Sequence, residues 1–121
     1  MLNVKTIMAL PETERFRVEK LLLAYCEKRI PAHVRDQIKL TFHITGNKVL
    51  LLESRPLYSD PNEWIEMKVS QFEYNPETFR WTLYCFDRNS KRRDYKPSFK
   101  EKIFEKLLAE VDADPTGIFW G

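Results

Sequence analysis

The chain has 121 residues, enough for one domain with a real core spanning 1–121 and too few for two. A hydrophobic content of 43% with 13% aromatics excludes a disordered or coiled-coil chain, and no apolar run approaches the roughly 20 residues that cross a bilayer. The net charge of +2 imposes neither a nucleic-acid nor a membrane partner on the molecule as a whole.

At the N-terminus, Lys5 and the short apolar patch Ile7 to Leu10 lack a small-residue cleavage pattern, so the segment does not read as a signal peptide and a cytoplasmic location is expected. Pro11 opens a helical pattern with Val18, Leu21, Leu22, Tyr25 and Cys26 on one stripe and Glu14, Arg17, Glu19 and Lys20 facing away. Pro31 should end it near Arg29-Ile30, because proline pushes its predecessor out of the helical region.

Ile38 to Ile44 alternates strictly, Gly46-Asn47 supplies a tight turn, and Lys48 to Arg55 follows as a second strand, so the pair reads as a β-hairpin. A two-residue loop predicts the facing pairs Ile44 with Val49, Phe42 with Leu51, Leu40 with Glu53 and Ile38 with Arg55. Opposed residues share a face, so Glu53 and Arg55 are expected at the rim of the core side, paired to each other or to other polar groups.

Trp64 to Tyr74 reads as a long strand whose apolar phase switches from Ile65, Met67 and Val69 to Phe72 and Tyr74, which predicts a bulge near Ser70-Gln71. Arg80 to Asp87 is apolar on both faces and should lie centrally. Asn89-Ser90 turns into a short strand at Arg92 to Tyr95. Ser98 to Glu101 fits a capping box for a second helix with the stripe Ile103, Phe104, Leu107, Leu108 and Val111. That helix would carry Lys100 and Lys102 at its positive start and Glu110 and Asp112 at its negative end, so the acids are expected to pair with arginines such as Arg29 or Arg35. The fold class is α+β: an antiparallel meander of about five strands, with an N-terminal and a C-terminal helix packed on one face.

Chemistry-bearing motifs are sparse. Cys26 and Cys85 have no CxxC spacing and read as free buried thiols. With His33 and His43 they form no metal-ligating pattern, so no metal and no cofactor is expected. Asp112 to Gly117 mimics the start of a calcium loop without its later glutamate and reads as a helix stop. No catalytic residue stands out, although a small hydrolase-like site assembled in space from Glu53, Asp87, Arg35 and His33 is one alternative. Between Arg88 and Lys106 eight cations face three carboxylates. Arg88, Lys91, Arg92, Arg93 and Lys96 are therefore the phosphate-binding candidates should the chain bind nucleic acid.

The segments Glu53-Ser54-Arg55-Pro56, Trp64 before Phe72-Glu73-Tyr74, Trp81-Thr82-Leu83-Tyr84, Asp87-Arg88-Asn89 and Asp114-Pro115 with Phe119-Trp120-Gly121 carry a resemblance. With Arg29, Pro31 and Arg35 upstream, the chain resembles a small bacterial domain-of-unknown-function family, the DUF3024 type, whose members end in Phe-Trp-Gly. The resemblance implies a bacterial, intracellular, single-domain protein and supplies no catalytic residues. Arg92 departs from it, standing where that family has an aromatic before Tyr95. It directs attention to a polar cluster, structural or ligand-binding, of Arg29, Arg35, Glu53, Arg55, Trp64, Trp81, Asp87 and Trp120. The expected function is a non-enzymatic binding or protein-interaction module, with self-association through a sheet face bearing Leu50, Leu52, Tyr84 and Phe86 if helices leave it open.

Overall fold

We describe residues 9–96 and 99–121 of a computed structural model of the chain. Lys5, Ile7, Met8 and Ser98 of the sequence reading lie outside the described residues. Helix α1 (Glu12–Arg29) starts after Pro11 with Glu12 and Glu14 in its first turn and ends with Lys28 and Arg29 in its last, which suits the helix dipole at both ends. Pro31 follows, and a single 3-10 turn (Ala32–Val34) leads to the sheet. Val18 and Leu22 are fully buried beneath α1, while Leu21, Tyr25 and Cys26 pack half-buried around them.

Strands β1 (Lys39–Thr45), β2 (Lys48–Pro56), β3 (Trp64–Asn75), β4 (Arg80–Phe86) and β5 (Arg92–Asp94) pair antiparallel in that order. The hairpin register is the expected one at Ile44–Val49, Phe42–Leu51 and Leu40–Glu53. Gly46 adopts φ 60° at the turn, a conformation that glycine reaches without a Cβ penalty. Asn47 holds the turn in place: its side-chain amide donates to the Tyr74 carbonyl at 2.7 Å and its carbonyl accepts the Tyr74 N–H at 2.9 Å. The Leu10 N–H donates to the Gly46 carbonyl, so the approach to α1 is tied to the same turn.

The bulge lies one residue earlier than expected. Leu51 pairs with Ser70 and Leu52 with Lys68, so Val69 is the extra residue. It returns Phe72 and Tyr74 to the face occupied by Val49 and Leu51. On that face Trp81 lies 5.1 Å from Tyr74 and 5.0 Å from Phe104, ring centre to ring centre, and Phe72 lies 4.8 Å from Phe104. Both helices cover this face.

The second helix departs from the sequence reading. Lys100–Glu101 form a two-residue strand, β6, opposite Thr82 and Trp81 of β4, and helix α2 (Phe104–Ala113) begins only after them. Pairing to β4 takes the residues that the capping box would have used. Ile103 is therefore a 43% exposed N-cap rather than part of the buried stripe, and Glu105, not Lys100 or Lys102, occupies the first turn. Strands β5 and β6 lie along the same side of β4. Between the pairs Tyr84–Asp94 and Thr82–Lys100, β4 moves two residues while the other chain moves six, so β5 and β6 do not form one continuous strand.

Among the described residues no helix covers the opposite sheet face. Leu52 and Phe86 are nonetheless buried there, and Leu50 and Tyr84 are half-buried. Long cations roof the aromatics on this side: Lys39 over Trp64 at 4.1 Å, Lys68 over Phe86 at 5.4 Å and Arg92 over Tyr84 at 4.1 Å.

Candidate functional site

The C-terminal turn of α1, strand β2 and the segment after α2 meet around a cleft of about 600 Å³. Strand alternation turns Glu53 and Arg55 toward it, and the Arg55 Nε–H donates to Glu53 Oε1 at 2.7 Å. Glu53 is buried while Arg55 reaches the opening with its side chain 55% exposed.

Trp120 forms the opposing wall. Asp114, left-handed at φ 45°, ends α2, and its carboxylate accepts the backbone N–H groups of Phe119 and Trp120 at 3.1 and 2.9 Å. Phe119 is thereby pressed into the core against Tyr95, and the Trp120 indole N–H reaches the Val111 carbonyl at 2.9 Å. The resemblance to a calcium loop thus reduces to capping: Asp114 satisfies backbone donors, and among the described residues no His, Cys, Asp or Glu group of three or more could hold a metal ion.

Arg29 stacks on Trp120 with its guanidinium carbon 4.0 Å from the ring centre and donates to Asp112 at 3.0 Å. Asp112 also accepts the Tyr25 hydroxyl at 2.9 Å. Burial, then this bond to Asp112, push the Tyr25 hydroxyl well above the ordinary tyrosine range. The acidic end of α2 is therefore compensated as expected at Asp112 by Arg29 rather than Arg35. Glu110 accepts the Tyr95 hydroxyl and lies 3.4 Å from the Lys96 ammonium. Burial and that contact raise Tyr95 to about 12. Lys28 completes the cationic side of the cleft.

Four of the eight cluster residues, Arg29, Glu53, Arg55 and Trp120, line this cleft. Arg35 sits on the other side of the α1 terminus, where its Nε–H donates to the Ile30 carbonyl at 3.2 Å. Trp81 is a core residue with no exposure, and its indole N–H has no protein partner among the described residues. Trp64 lies on the sheet face opposite the helices, beneath Lys39. Asp87 organises the β4–β5 turn, accepting the Asn89 and Lys91 N–H groups at 2.9 and 3.0 Å and the Arg93 side chain at 3.1 Å. The Lys91 amide above all, helped by that of Asn89 and by Arg93, holds its carboxyl below the ordinary carboxylate range against the opposing effect of burial. His33 is exposed in the 3-10 turn, so Glu53, Asp87, Arg35 and His33 do not share a site.

A family sequence model described as a domain of unknown function (DUF3024) matches residues 10–121. The chain belongs to the DUF3024 family. No curated protein and no solved structure matches it. In this DUF3024 domain the residues that carried the resemblance have separable roles. Asp114 positions Phe119 in the core and Trp120 as one wall of the cleft, Glu53 and Arg55 build the other wall, and Trp81 centres the core. Tyr25, Lys28 and Asp112 are cleft residues absent from the predicted cluster; the expected pairing of Asp112 with Arg29 was the one sequence signal for them.

Of the five candidate phosphate ligands, Arg92 lies 3.6 Å from Glu73 and stacks on Tyr84, Arg93 meets Asp87, and Lys96 meets Glu110. Arg88 and Lys91 remain exposed at the tip. Cys26 and Cys85 are free and apart, and burial raises the Cys26 thiol to about 11, which keeps it protonated and unreactive at neutral pH. No helix among the described residues is long and apolar enough to cross a membrane.

Proposed function

We propose that this DUF3024 domain is a non-enzymatic binding module whose polar cleft takes the anionic head of a small ligand, a carboxylate or a phosphate. The observation that carries the reading is the state of the cleft's charges. Each acid is already engaged, Glu53 by Arg55 and Asp112 by Tyr25 and Arg29. The cations retain donors: the terminal nitrogens of Arg55 and the Lys28 ammonium have no protein partner among the described residues. Planar guanidinium groups suit paired oxygen acceptors, and the Trp120 face supplies an apolar wall for the rest of the ligand. The basic segment 88–96 supports a nucleic-acid reading less well, since most of its cations are held by carboxylates of the same chain. Self-association through Leu50, Leu52, Tyr84 and Phe86 is likewise weakly supported, because two of the four are buried in the monomer.

Inorganic phosphate, citrate and a nucleoside monophosphate, titrated separately while tryptophan fluorescence and melting temperature are followed, test this. At least one should raise the melting temperature and change the emission of the chain but not of a Trp120→Phe variant. Arg55→Ala should weaken that response at least tenfold. Silence from all three probes to millimolar concentration, or a response that Arg55→Ala leaves intact, overturns the reading.

A further inference from the structure

Strand β3 outruns its neighbour. Its last pair with β4 is Gln71–Tyr84, so Trp64 to Lys68 pair with β2 alone among the described residues. Helix α2 packs on the other half of the strand, where Phe104 meets Phe72. The register sets Ile65 directly opposite Arg55 and Met67 directly opposite Glu53, and opposed residues share a face with Cβ atoms about 5 Å apart. Ile65 and Met67 therefore continue the floor of the polar cleft outward onto β3, and both are 43% exposed. This apolar shelf lies at the end of the sheet farthest from Gly46, to which Leu10 is tied.

The charge of the cleft limits what a ligand gains from it. Lys28, Arg29 and Arg55 face Glu53 and Asp112, three cations against two carboxylates, which leaves a single positive charge. One anionic group cancels it, so further affinity has to come from apolar contact rather than from more charge. On the α1 side of the cleft Ile30 is already buried, whereas Ile65 and Met67 still have surface to cover.

Resting on the anion-binding reading of this cleft, we propose that the ligand is a monocarboxylate with an unbranched apolar chain. Its carboxylate would lie at the terminal nitrogens of Arg55 and at Lys28, and its chain across Ile65 and Met67. Alternate residues on one face of a strand are about 7 Å apart, so a chain of medium length covers both side chains while a two-carbon acid touches neither. Covering them removes apolar surface from water that the folded chain leaves exposed.

The test titrates acetate, butanoate, hexanoate and octanoate into the full chain by calorimetry, with methyl octanoate as the uncharged control. Affinity should rise about twofold for each added methylene, the gain expected when one side of the chain is covered, and the ester should bind at least tenfold more weakly than octanoate. Ile65→Thr and Met67→Thr should each flatten the dependence on chain length and leave acetate binding and the melting temperature of the free chain unchanged. The methyl of Met67, one of three methionines, should shift in the carbon-13 spectrum with octanoate and not with acetate, a readout that needs no variant. Affinity that ignores chain length, or a Met67 methyl that octanoate does not move, overturns the inference. So does a nuclear Overhauser contact in the free chain between the methyls of Met67 and of Met1 or Met8, because the shelf would then be covered from within. Phosphate, citrate or nucleotide binding with no gain along the alkanoate series removes this inference alone and leaves the anion-binding reading standing. Octanoate binding that Arg55→Ala leaves intact removes both.

Discussion

Along its α2 side, helix α1 is tied down three times: Arg17 to Glu105 at 2.7 Å, Tyr25 to Asp112 at 2.9 Å and Arg29 to Asp112 at 3.0 Å. Along its β1 side the same helix leaves Phe16 and Leu23 about two-thirds exposed. The burial stripe between them is narrow, with only Val18 and Leu22 buried completely. Hydrophobic contact therefore fixes the height of α1 over the sheet, while polar contacts to one neighbour fix its lateral position. Along the other side, no polar tie among the described residues holds the helix to β1.

That contrast sets an order of expected effects. Leu22→Ala removes a fully buried side chain on which both flanks depend, and should cost about 3 kcal/mol in urea unfolding, since most of the cavity cannot collapse. Asp112→Ala strips two of the three ties on the α2 side, and should cost about 1 kcal/mol and free Arg29 from its place on Trp120. Unchanged or raised stability in that variant would show that the ties position nothing.

The remaining tie has a pH signature. Arg17, chiefly through its hydrogen bond, holds the Glu105 carboxyl below its ordinary value of 4.5. A depressed carboxyl pKa contributes stability that is complete above the unfolded value and disappears as pH falls through the folded one. The stability difference between the parent chain and Arg17→Ala should accordingly be present at pH 6 and fade as pH falls below 4.5 through the lowered folded-state value, and for so exposed a pair it should be small. Smallest of all, Leu23→Ala should shift stability by less than about 0.5 kcal/mol. A larger loss would mean that the free flank is packed against something in the chain itself.

The hairpin was legible because two independent signals agreed: strict alternation from Ile38 to Ile44 and a Gly-Asn turn that allows one register. That register also turned Glu53 and Arg55 inward. The start of α2 was not legible, because Lys100–Glu101 satisfy a local capping pattern while their actual partners, Trp81 and Thr82, lie about twenty residues away. Half of the predicted cluster converges on the cleft. Trp64, Trp81 and Asp87 do not, because each is held where it stands by its own surroundings, Trp64 under a cation, Trp81 in the aromatic core and Asp87 in a tight turn. The exposed apolar flank of α1 could not be read at all. Phe16 and Leu23 fall off the buried stripe, and whether β1 has one neighbour or two depends on the topology of the whole sheet.

The outer margin beside β4 is made of two short pieces, three residues of β5 and two of β6, which do not form one continuous strand. The β1 margin is regular over seven residues. Of the sheet's two margins among the described residues, only the one at β1 is an unbroken strand, so the β1 edge and the β4 edge differ in how much regular backbone each presents.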